Sequence, residues 1–165
     1  MIFQELIDEN KYEFLAKVRE VSCHLGIDAD WLMFVMWFET ARTFDPAIRN
    51  KITGATGLIQ FMPRTARALG TTTSELAQMT NVEQMDWVLK YFAPYKGKMK
   101  NWLDVYCAVF YPAMIGKPDN YVIDRESVAK ANPIFDLNKD LKIHKYEIRA
   151  ALLKQLPLEY RHLFQ

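Results

Sequence analysis

Glu39 closes an almost unbroken apolar run, Trp31 to Phe38 (WLMFVMWF), and the segment GATGLIQFMP follows at residues 54–63. Breaking a glycosidic bond calls for an acid that gives a proton to the bridging oxygen, because an alkoxide leaves poorly. An exposed glutamate, with a pKa of about 4.3, is ionised at neutral pH, whereas desolvation favours the neutral acid. Met36, Trp37 and Phe38 beside Glu39 are the residues to supply that desolvation. On residue type alone, an ion pair of Glu39 with Arg42 or Arg49 at a helix end is an equal alternative. Gly54 and Gly57 permit positive φ or close backbone approach, and Gln60 offers an amide with both donor and acceptor, as a wall for a polar sugar requires. A GxxG standing by itself is better read as a turn before the Pro63 helix. Its proximity to Glu39 favours the wall.

A second chemical signal is the polar loop DLNKDLKIHKYE, residues 136–147. In the twelve-residue EF-hand pattern, Asp136, Asn138, Asp140, the Lys142 carbonyl, His144 and Glu147 take the liganding positions, with Ile143 at the usual apolar one. Against calcium stand Leu141, where glycine normally makes the turn, and His144, a poor ligand for a hard cation. The other reading is a capped helix start in which Asp and Asn serve the turn. His24, His144 and His162 are isolated, Cys23 and Cys107 define neither a zinc site nor a disulfide framework, and no GxSxG or P-loop is present.

The elements that must position these groups are helical in period nearly throughout. Phe14, Leu15, Val18, Val21 and Leu25 form one stripe of a helix over 11–25 that Gly26 stops. Asp28 caps a helix to about Ala41, apolar on all sides and therefore central. The segment 43–60 predicts a loop carrying a short β-hairpin beside the cleft, and Pro63 opens a helix ending at Gly70. Thr72 with Glu75 and Thr80 with Glu83 read as capping boxes. Asn101 caps a further helix that Pro112 and Gly116 terminate, and a helix near 125–131, the polar loop and a last helical stretch to Phe164 complete the chain. Trp31, Trp37, Trp87 and Trp102 fall at helical spacing and read as core, with Trp37 at the groove's border. With 165 residues and no linker, a single domain over 1–165 is expected.

The formal charge is +1, from 21 basic and 20 acidic side chains without a block of either sign, which argues against nucleic acid as a partner. No apolar stretch approaches the ~20 residues of a membrane span. The first residues, MIFQELIDENKYEF, do not read as a secretory signal. A monomer is expected.

The set ET, FDP, GATGLIQFMPRTA and, later, YPAMIG resembles the soluble lytic transglycosylase and goose-type lysozyme superfamily over residues 28–123. The resemblance implies a mainly α, lysozyme-like domain whose groove takes the glycan strands of peptidoglycan. It implies cleavage between N-acetylmuramic acid and N-acetylglucosamine. The family's catalytic Glu followed by Ser maps onto Glu39 and Thr40, its GLMQ onto Gly57 to Gln60, a following methionine onto Met62, and its YNAGPG more loosely onto Tyr111 to Gly116. Glu39 is thus the implied catalytic residue, with Thr40, Gly57, Gln60, Met62 and Tyr111 as implied substrate-binding residues. Two more residues separate Glu39 from Phe44 than in the usual ESGFNP, as in some phage-associated members. Lys51 falls where many relatives have a groove serine, with Asn50 beside it. Pro112 replaces the Asn after the tyrosine.

Asp45 and Asp86 have no counterpart in the matched motifs, so Glu39 is left as the lone carboxylate. Lytic transglycosylation to a 1,6-anhydromuramyl product is therefore expected, with no cofactor required for the chemistry. The alternatives are a muramidase hydrolysing the same bond, a noncatalytic peptidoglycan-binding or assembly protein and, last, an EF-hand signalling module. The implied place of action is the bacterial cell wall, reached by delivery from a phage or secretion machine if no leader is encoded.

Overall fold

A computed structural model describes residues 1–164. Helix α1 (Lys11–Leu25) stops where Gly26 turns left-handed at φ 71° and its N–H bonds back to the Ser22 and Cys23 carbonyls. Helix α2 (Ala29–Glu39) starts from Asp28, whose carboxylate accepts the Asp30 N–H, and buries every residue from Leu32 to Trp37. As expected of a helix that is apolar all round, it lies between neighbours, α1 on one side and α6 (Trp102–Phe110) on the other. Helix α3 (Pro63–Leu69) follows, then the single turn α4 (Thr73–Leu76) and α5 (Asn81–Phe92). Thr80 and Glu83 close a capping box on α5, which packs on α1. The C-terminal part adds α7 (Glu126–Ala131), α8 (Lys145–Gln155) and a 3-10 segment, Leu158–Phe164. One hydrophobic cluster runs through these elements, from Ile2 to Phe164.

Two expectations are adjusted. Helix α2 ends at Glu39 and not near Ala41, because Ala41 and Arg42 adopt φ of 50° and 76°, outside the helical region. The hairpin anticipated over 43–60 is reduced to two isolated bridges, Arg49 with Thr56 and Thr56 with Phe61, since positive φ at Gly54, Gly57 and Gln60 breaks a regular ladder. The paired strands lie elsewhere, β1 (Val122–Ile123) antiparallel to β2 (Ile143–His144). The mainly helical, lysozyme-like class stands.

Candidate active site

The last residue of α2 opens into a cleft of about 370 Å³. It is lined by Phe38 and Glu39 of α2, by Tyr106, Val109 and Phe110 of α6, and by the loop residues Asn50, Thr53, Ala55, Gln60 and Met62. Asn132, Ile134 and Phe135 close it from the C-terminal part. Glu39 is the one carboxylic acid among these cleft-lining residues. It is half-buried, and loss of solvent pushes its carboxyl up to about 8, against the opposing pull of a hydrogen bond with Tyr106. Burial, with the nearby Glu39 charge, raises the Tyr106 hydroxyl well above its ordinary value, so it stays a neutral donor. Tyr91, donating to the Ala108 carbonyl at 2.8 Å, is raised by burial as well. The alternative ion pairs do not form, for Arg42 donates to Gln155 at 2.9 Å and lies over the Trp37 ring, and no salt bridge joins Glu39 to Arg49 among the described residues.

Gln60 and Met62 reach the cleft together with Glu39. Gln60 sits at φ 51°, and its Nε2 donates to the Gly57 and Ile48 carbonyls at 3.2 and 3.4 Å. Thr40, Gly57 and Tyr111 do not line it. Thr40 is buried, its Oγ1 donating to the Met36 carbonyl at 2.7 Å and accepting from the Phe44 N–H at 2.9 Å, which pins the loop after α2. Gly57 is buried at φ 86°, where a Cβ would run into the Gln84 amide. Tyr111 caps α6. Asn50, not Lys51, faces the cleft. Asp45 borders a separate cavity with Asp8 and Glu9, and Asp86 pairs with Lys17 at 3.0 Å.

Sequence reasoning missed Gln84, which holds the wall from behind. Fully buried on α5, it accepts the Leu58 N–H at 2.6 Å and donates to the Pro46 and Leu76 carbonyls, each at 2.9 Å. It also missed Tyr106 and the segment 132–135. A tyrosine at the core stripe of an apolar helix carries no local mark of its partner.

In the polar loop, Asp136 accepts the N–H groups of Asp140 and Leu141 at 3.1 Å, and Leu141 takes the left-handed turn at φ 64°. Glu147 accepts from Leu137, Asn138 and His144 N–H groups at 3.1, 3.2 and 2.9 Å and lies 3.0 Å from His144 Nδ1. Asn138 and Asp140 bond to each other, and Lys142 pairs with Asp124 at 3.2 Å. The donors thus serve the loop's own backbone, and among the described residues no three His, Cys, Asp or Glu side chains gather as metal ligands.

No helix among the described residues is long and apolar enough to cross a membrane. No curated protein and no solved structure matches the chain. The sequence model of the Transglycosylase SLT domain family matches residues 17–111, which run from within α1 to the end of α6 and contain Glu39, the GLIQ segment and Tyr111. With more than half of its length matched, the chain belongs to the Transglycosylase SLT domain family, whose members are enzymes that cleave peptidoglycan.

Proposed function

We propose that this chain is a lytic transglycosylase in which Glu39 acts as both acid and base on the bond between N-acetylmuramic acid and N-acetylglucosamine. The observation that carries the reading is a lone, proton-retaining carboxyl in the cleft. Glu39 gives its proton to the bridging oxygen, and the C1–O bond breaks. The carbonyl oxygen of the sugar's own acetamido group shares the positive charge at C1. The Glu39 carboxylate then takes the proton of the C6 hydroxyl as that oxygen closes on C1, which restores the acid and yields the 1,6-anhydro ring with no water consumed. Hydrolysis through two carboxyl groups asks for a second one about 5–10 Å away across the sugar. Asp45 and Asp86, the acids considered for that role, are engaged outside the cleft. Gln60 and Met62 are the substrate contacts this reading keeps, while Gly57 holds Gln60, Thr40 pins the loop after α2 and Tyr111 caps α6.

The whole chain, 1–165, is taken to work as one domain, supported by the single core cluster. Action at the cell wall follows from the family, and the longer loop after Glu39 supports the phage-associated type. Calcium in loop 136–147 is a further proposal, supported by the EF-hand-like turn at Leu141 and the pairing of Ile143 with Ile123. Melting in a calcium titration tests it, with a rise in midpoint at millimolar ion expected and an unmoved midpoint removing the metal. For the reaction, purified peptidoglycan is digested with wild type and Glu39→Gln and the fragment ends weighed. Anhydro ends from wild type and none from the variant are expected, whereas reducing ends would make the enzyme a muramidase and no cleavage by either a binding protein.

A further inference from the structure

The cleft has two polar walls, and only one belongs to residues 17–111. The other is the turn after α7, where Asn132, Ile134 and Phe135 line the same cleft as the Gln60 loop. Asn132 is half-buried, and its Nδ2 donates to the Val128 carbonyl at 2.9 Å. A flipped amide would set two oxygens against one another, so the nitrogen is the tied atom and Oδ1 is left to accept. Gln60 is arranged alike, with its Nε2 turned to backbone carbonyls. The two walls therefore offer acceptors around a carboxyl that donates.

Next to Asn132 the surface becomes apolar. Ile134 is 41% exposed at the cleft, and Phe135 is buried against Phe110 and Tyr106 at ring distances of 5.0 and 5.8 Å. One acceptor beside one exposed aliphatic group matches a ligand group with an N–H donor next to a methyl. We infer that Asn132 and Ile134 determine specificity for a 2-acetamido sugar, Asn132 Oδ1 accepting the acetamido N–H while Ile134 meets the methyl. This rests on the glycan-cleaving reading of the site and extends it to residues that the family match does not reach.

The test uses the Glu39→Gln background, so that binding is read without cleavage, with solubilised peptidoglycan strands and the same strands chemically de-N-acetylated as probes. Adding Asn132→Ala weakens binding to the acetylated strands about tenfold, the loss of one well-made hydrogen bond. Ile134→Ala, at an exposed position that leaves the core intact, weakens it about threefold, as expected for a few lost methyl contacts. Asn132→Asp shifts preference towards the de-N-acetylated strands, whose ammonium groups a carboxylate attracts. Affinity within twofold of the background in Asn132→Ala and Ile134→Ala, and an unshifted preference in Asn132→Asp, would overturn the assignment while leaving the glycan cleft standing. A background protein that binds neither probe would overturn the reading of the cleft itself, and this inference with it.

Discussion

A carboxyl pushed up to about 8 by burial has consequences for both rate and stability. Glu39 must be protonated to serve as an acid, so kcat/KM for peptidoglycan should fall as pH passes about 8, read from dye-labelled wall fragments released across a pH series. Its proton is held more tightly in the folded chain than in the unfolded one, where release occurs near 4.3. Between those values the unfolded state binds fewer protons, and the stabilisation from keeping Glu39 neutral is complete below about 4.3 and lost as pH rises through about 8. Glu39→Gln should therefore melt like wild type near pH 4 and be more stable by about 2 kcal/mol at pH 8, a figure reduced from the full linkage value because the cleft admits water. Equal melting at both pH values would show that the carboxyl ionises normally.

At the scale of elements, the Gln60 side of the cleft is a loop without a regular ladder, and its shape depends on α5. Gly57 lies so close to Gln84 that no side chain fits between them, and its φ of 86° disfavours any L residue. Gly57→Ala should cost about 2–3 kcal/mol from overpacking and left-handed strain together, read as a lower melting midpoint. Displacement of the Gln84 amide would also release the Leu58 N–H and move Gln60, so activity below the midpoint should drop as well. The loop after α2 is strained in the same way, with left-handed φ at Ala41, Arg42 and Phe44, and Thr40 holds it by two hydrogen bonds. That gives the hydroxyl next to Glu39 a structural task although it does not line the cleft.

At the scale of the molecule, the C-terminal part is fastened to the rest by a buried ion pair. Lys145, at the start of α8, is 3% exposed and donates to Asp104 on α6 at 2.9 Å, to the Met114 carbonyl at 3.1 Å and to the Lys117 carbonyl at 2.8 Å. Asp104, 1% exposed, also accepts the N–H groups of Lys100 and Gly116. Removing one partner of such a pair strands the other charge, so Lys145→Met should cost about 3–5 kcal/mol in denaturant unfolding. A loss under 1 kcal/mol would mean that water reaches Asp104.

Much of this could be read from the chain before it was folded. The stripe on α1, the stop at Gly26, the caps at Asp28, Thr80 and Asn101 and the all-round burial of α2 depend on neighbours within one or two helical turns, and those are written in order along the sequence. The type and place of Glu39 and the Gln60 loop were legible for the same reason. Packing alone decided which residues share the cleft. It set Tyr106 against the carboxyl, left Thr40, Gly57 and Tyr111 out of the cleft lining, packed Gln84 against Gly57 and brought Asn132 into that lining. These pairings join positions dozens of residues apart, and no local period or cap records them, because they exist only once α2, α5 and α6 and the C-terminal part enclose a common core.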